Sequence, residues 1–163
     1  MRLPVLLGRP IEIRFVRGLR DRRGEVHGGA FVRERRIAFD AALRRDRAEL
    51  ARIFVHELFH FGWVRLGNAA RRSWEELLAA EFGARVAGEL GWSAAWRKQA
   101  LEPRDCAART RRWREYCCES FCDTAAWLFA DLESHPEFTL AGRHRAKRRR
   151  WFLESGAAGA ISL

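Results

Sequence analysis

The stretch Arg47-Ala-Glu-Leu-Ala-Arg-Ile-Phe-Val-His-Glu-Leu-Phe-His-Phe61 decides how this chain is read. Leu50, Ile53, Phe54, Leu58 and Phe61 recur at spacings of three and four, the signature of a helix with a broad apolar face. Asp46 followed by Glu49 offers a capping box at its start, and Asp40 is an equally good earlier start. Gly62 weakens the far end and Gly67-Asn68 stops it. The pattern predicts a helix over about 46–62, packed against apolar structure and stiff enough to hold side chains in place. His56 and His60 fall on one face of it, so both imidazoles can point at one ion. Glu57 lies on the rim of that face, within reach of a water on such an ion. The same letters also fit a core helix with two half-buried histidines and a surface glutamate.

Outward from this helix the chain divides in two. Before it, Ile11-Glu-Ile-Arg-Phe-Val16 alternates as a strand does. Arg20-Asp-Arg-Arg-Gly24 reads as a turn, and Val26 to Val32 as a second strand made irregular by Gly28-Gly29. Arg36-Ile-Ala-Phe39 is a short third strand, so strands occupy about 11–39. After it the pattern is helical. Ser73 and Glu76 form a second capping box opening a helix from Trp74 to about Leu90. A short helix spans Ser93 to Leu101, and Pro103 separates it from a long one over about 107–132. His135-Pro136 ends that region, and a last helix covers about 141–153. The expected fold class is α+β: a small N-terminal β-sheet followed by a mostly helical region. Residues 1–155 read as a single domain, with 156–163 a flexible tail.

Composition narrows the possibilities. The chain has 163 residues, nearly half apolar, with eleven Phe and seven Trp, enough for a real core. No apolar run is long enough to span a bilayer, and the apolar stretch near the start is too short for a signal peptide. Of Cys106, Cys117, Cys118 and Cys122, the last three crowd into six residues, poor spacing for a disulfide framework, which favours a reduced, cytoplasmic setting. The net charge of +10 is almost all arginine, with Lys98 and Lys147 the only lysines. Its densest patch, Arg143-His-Arg-Ala-Lys-Arg-Arg-Arg150, reads as the solvated face of the last helix. An acidic partner or nucleic acid at 143–150 is the alternative.

A catalytic ion held by two histidines wants a third protein ligand. None of the other histidines, His27, His135 and His144, follows His60 closely enough to supply it. In Tyr116-Cys-Cys-Glu-Ser-Phe-Cys-Asp-Thr-Ala-Ala-Trp-Leu-Phe129, Glu119 and Asp123 share one helix face. Glu119 can bind the ion, and Asp123 can accept the N–H of a ligating histidine. Glu81 is the rival third ligand, but Arg85, four residues on, cannot orient a histidine. Cys118 and Cys122 offer a different solution, a closed His2Cys2 site with His56 and His60 that would be structural. That leaves Glu57, Glu119 and Asp123 without roles, and both thiols are expected to be free. Tyr116, one turn before Glu119, is a candidate oxyanion donor, as are His135 and His144 from the loops that follow.

His56-Glu-Leu-Phe-His60 followed by Glu119-x-x-x-Asp123 resembles the zincins of the thermolysin type, H-E-x-x-H metallopeptidases. The small size and leading short strands are more similar to the ImmA/IrrE-type metallopeptidases, a minimal zincin core. The likeness covers roughly residues 30–130, and it departs from that family in the long stretch between His60 and Glu119. The resemblance implies a zinc cofactor on His56, His60 and Glu119, with Glu57 as catalytic base and Asp123 supporting a histidine. It implies a metalloendopeptidase acting on a protein or peptide substrate, such as an intracellular regulator. A non-catalytic zincin-fold binding protein and a basic nucleic-acid-associated protein with structural zinc are the other classes to be separated.

Overall fold

The computed structural model describes residues 3–21 and 24–163. The expected turn at 20–24 includes residues 22 and 23, which lie outside them. Short strands precede the first α-helix: β1 (Val5–Leu7), β2 (Glu12–Val16), a two-residue antiparallel ribbon of β3 (Arg20–Asp21) with β4 (Gly24–Glu25), then β5 (Gly28–Phe31) and β6 (Arg36–Asp40). The main sheet has the order β2-β6-β5, with β2 parallel and β5 antiparallel to β6. Ile37, Ala38 and Phe39 of the central strand are buried, and β5 is left as an edge.

Helix α1 (Arg47–Arg65) starts where the side chain of Asp46 accepts from the Glu49 amide at 3.0 Å. Asp40 accepts from the Ala42 amide at 2.8 Å and caps the short 3-10 turn Ala41–Arg45. Both candidate start signals are therefore used, for consecutive elements. Ile53, Val55, Leu58, Phe59 and Phe61 are buried in the core with residues of the sheet and the later helices. The α+β layout expected from the sequence is the observed one.

The helices that follow are α2 (Asn68–Gly83), α3 (Trp92–Gln99), α4 (Pro103–Ala107), α5 (Arg111–Phe129) and α6 (Gly142–Glu154). Helix α2 begins ahead of Ser73, contrary to expectation. The Ser73 hydroxyl donates to the Ala70 carbonyl and accepts from the Trp151 indole at 2.9 Å, so it caps nothing. The long helix expected over 107–132 is interrupted near its start. Glu102 and Asp105 form a capping box for α4, Arg109 turns the chain with a φ of 47°, and Thr110 caps α5.

The C-terminal residues are not a free tail. Strand β7 (Ala160–Ser162) pairs in parallel with β1, and Ile161 is buried against α1. The helix can be approached there because Gly62 has no side chain; a Cβ would fall 2.0 Å from Ile161 Cδ1. Helix amphipathicity cannot report such a contact, because it depends on one glycine meeting one distant isoleucine. Among the described residues no helix is long and apolar enough to cross a membrane.

Candidate metal centre

Among the described residues, helices α1 and α5 pack against each other more extensively than any other two elements. His56 faces Asp123, while His60 faces Glu119 and Cys118. Rising numbers on α1 thus meet falling numbers on α5, so the pair is antiparallel. Aromatic packing fixes the register: Phe121 stacks on Phe152 and lies against Phe59, Trp63 and Trp74. With Phe121 buried in this cluster, Glu119 and Asp123 are carried on the side of α5 that meets the two histidines.

The geometry of the donors is close-set. His56 Nε2 lies 3.3 Å from His60 Nε2 and 3.2 Å from Glu119 Oε2, and the His60 Nε2 to Glu119 Oε2 distance is 3.9 Å. Tetrahedral ligands at about 2.0–2.1 Å from one ion stand about 3.3 Å apart, so the His56, His60 and Glu119 set fits a zinc-sized cation. The orientation fits as well. His56 donates its Nδ1–H to Asp123 Oδ1 at 2.7 Å, which leaves the lone pair on Nε2. Asp123 is fully buried, and its second oxygen accepts from the Ala94 amide at 2.9 Å. That contact needs the backbone at Gly91 to come very close, where a Cβ would fall 2.2 Å from Asp123 Cγ. His60 Nδ1 lies 3.5 Å from Cys118 Sγ.

The electrostatics call for positive charge at the centre. Burial lowers the pKa of His56, but Asp123, Glu119 and Glu57 outweigh it and hold the group well above the ordinary histidine value. For His60 burial is likewise outweighed, by Cys118, Glu119 and Glu57, and its pKa is pushed up to about 9. Burial raises the Glu119 pKa, yet the two histidines and Arg97 bring it down to about 2. Two lone pairs cannot face each other at 3.3 Å without a proton or a cation between them. A divalent ion answers both the charge and the spacing. Asp123→Ala is expected to weaken the affinity of this set for a divalent ion about 10- to 100-fold, the usual worth of a carboxylate that orients a ligating histidine; competition with a chromophoric chelator measures it.

Glu57 belongs to the same cluster but stands apart from the three donors. Its carboxylate is mostly buried, with Oε2 4.0 Å from His60 Nε2. The cleft above, of about 680 Å³, is walled by Gly28, Gly29 and Ala30 of β5, by α1, and by Trp92, Trp96 and Arg97 of α3. Arg97 is a site residue that no sequence pattern singles out. Its Nη2 lies 3.1 Å from Glu119 Oε1, its Nη1 donates to the Ser93 carbonyl, and its guanidinium lies over the Trp96 ring. Ser93, Trp96 and Arg97 carry no motif, because they reach the site only once α3 has docked on α5.

Several candidates lie elsewhere. Tyr116 is fully buried and donates to Glu89 Oε1 at 2.6 Å, so it is not an oxyanion donor facing the cleft. Glu81, the rival third ligand, is paired with Arg148 at 2.6 Å and with His144 at 3.5 Å, away from His56 and His60. His135 sits against Glu49 at 3.2 Å. The basic stretch 143–150 is not one solvated face. Arg148 is fully buried, Arg145 donates to the Leu140 and Phe138 carbonyls, and Arg149 lies over the Trp127 ring. Arg143, Lys147, Arg149 and Arg150 remain exposed.

Cys106, Cys117, Cys118 and Cys122 are free thiols. Cys118 and Cys122 also form a compact group with His60. No family model, no curated protein and no solved structure matches this chain. What stands on geometry alone is a His56-Glu57-x-x-His60 motif joined by the distant Glu119, a cluster able to hold a metal ion and consistent with a zincin-type site.

Proposed function

We propose that the protein is a zinc-dependent metalloendopeptidase of the ImmA/IrrE-like zincin kind, acting in the cytoplasm on a protein or peptide substrate. The observation that carries this reading is the convergence of His56 Nε2, His60 Nε2 and Glu119 Oε2 beside a carboxylate, Glu57, that is not itself among the three donors. A purely structural closed site has no use for a free acid at its edge or for a cleft over it.

Zinc held by His56, His60 and Glu119 would supply Lewis-acid chemistry, activating a water and polarising the scissile carbonyl. Glu57 takes the proton of the attacking water and passes it to the leaving amine. Asp123 keeps His56 in the tautomer and rotamer that present Nε2. Arg97, the cation on the cleft wall beside Glu119, is the group we assign to the developing oxyanion in place of Tyr116. The edge strand β5 gives an extended peptide a row of backbone groups to pair with, across the helix that carries Glu57.

The test is metal stoichiometry with two paired variants. Glu119→Ala should lose most of its zinc while remaining folded by circular dichroism. Glu81→Ala should keep zinc in whatever fraction stays folded, since its carboxylate serves Arg148. The reverse pattern would remove Glu119 from the site. Cleavage of an unstructured protein by the zinc-loaded chain, abolished by a chelator and restored by zinc, then separates an enzyme from a binding protein that keeps the fold.

A further inference from the structure

His60 is shared between two sets of donors. Its Nε2 faces His56 and Glu119, while its Nδ1 lies 3.5 Å from Cys118 Sγ, and Cys122 completes a group whose donor atoms all lie within 4.8 Å of one another. We propose that His60, Cys118 and Cys122 form a second coordination set, which takes a soft monovalent d10 cation such as Cu(I) and excludes zinc from the His56/His60/Glu119 set.

Three observations carry this beyond the peptidase reading. The first is spacing. A nitrogen at about 2.0–2.1 Å and a sulfur at about 2.3 Å from one d10 ion stand about 3.5–3.8 Å apart between tetrahedral and trigonal angles, so His60 Nδ1 and Cys118 Sγ at 3.5 Å can share an ion, and the nature of the donors selects which. The second is placement. Cys118 and Cys122 sit on successive turns of α5, unbridged by a disulfide, so both sulfurs face α1 beside one imidazole. Two thiolates and an imidazole make a soft set, whereas two imidazoles and a carboxylate do not.

The third is the tautomer of His60. A neutral imidazole has one lone pair. With the lone pair on Nε2, His60 serves the zinc set and its Nδ1–H points at Cys118. With the lone pair on Nδ1, it joins the two sulfurs, and Nε2–H donates to His56 Nε2 at 3.3 Å. His56 can accept there because its own Nδ1–H is given to Asp123. Each tautomer satisfies one set and disables the other, so the chain holds one ion or the other. Loading the thiol set releases the thiol protons and the Nδ1 proton, and Nε2 gains one.

The test uses the zinc-loaded full chain without oxygen, titrated with Cu(I) buffered by bicinchoninate, while a zinc-sensitive dye reports release. The expected result is withdrawal of Cu(I) from the chelator, ultraviolet absorption from thiolate–Cu(I) bonding, and release of the bound zinc. Cys118→Ser and Cys122→Ser should each keep their zinc, which also shows that they are folded, and take up no Cu(I). Failure of the wild type to compete for Cu(I), uptake unchanged in both serine variants, or Cu(I) binding with zinc retained would each overturn the proposal. Loss of zinc from the serine variants would overturn it too, in favour of a closed His2Cys2 centre. Cysteine-dependent Cu(I) uptake by a chain that never holds zinc would sink the peptidase reading and leave the thiol set standing.

Discussion

Glu57→Gln is expected to keep its zinc and its fold and to lose peptide hydrolysis by about two to four orders of magnitude, the range a positioned general base supplies. Glutamine preserves the size of the side chain and its hydrogen-bonding reach but cannot take a proton near neutral pH. Glu57 Oε2 stands 4.0 Å from His60 Nε2, so the carboxylate is held over the donor set without belonging to it. Zinc content therefore separates the roles open to Glu57. Equal cleavage of a true substrate by wild type and variant would defeat the mechanism. Loss of metal from Glu57→Gln would make Glu57 a ligand or a support. The assay calls for a cleaved substrate established with the wild type first, since a narrowly specific peptidase ignores casein.

Arg148→Met should be the most destabilising single change outside the site, by about 3–5 kcal/mol, the cost of stripping one partner from a buried ionic cluster. Arg148 is fully buried and holds Glu89 at 2.7 Å and Glu81 at 2.6 Å. It also donates to Ser120 Oγ at 2.9 Å, next to Glu119 on α5. Methionine fills a similar volume but leaves two carboxylates in the core, with Lys98 still on Glu89 at 3.0 Å. Urea denaturation measures the loss.

The pH dependence of that cluster has a definite sign. Burial raises the Glu89 pKa, but Arg148, Lys98 and Tyr116 bring it down to about 2 from an ordinary 4.5. A carboxyl whose folded-state pKa is depressed adds stability that is fully present above the unfolded value. That stability drains away as pH falls from about 4.5 through about 2. The gap between wild type and Arg148→Met should accordingly be widest near neutrality and narrow in acid. A gap independent of pH would mean that packing, and not charge, sets the cost.

The sequence by itself determined what local pattern can carry. The apolar spacing of three and four and the Asp46 cap define α1, the four-residue spacing defines the His56/His60 pair, and alternation locates β2. The Glu119/Asp123 pair is legible because the two acids repeat the same helical spacing, and chemistry argues for which acid supports a histidine. The antiparallel contact of α1 with α5 brings Glu119 against both histidines, although nearly sixty residues separate it from His60. Only the tertiary structure decided the rest, since nothing local encodes which distant groups will meet. In the sequence Arg148 is one more solvated arginine, but α6 buries it between Glu81 and Glu89. Tyr116 has the spacing of a cleft residue, yet its hydroxyl is spent on Glu89. Arg97 joins the site because α3 docks on α5, and the C-terminal residues form a strand because Ile161 fits over Gly62. A buried charge must find its counter-charge and a buried strand its neighbour, and those partners are set by the packing of the whole chain.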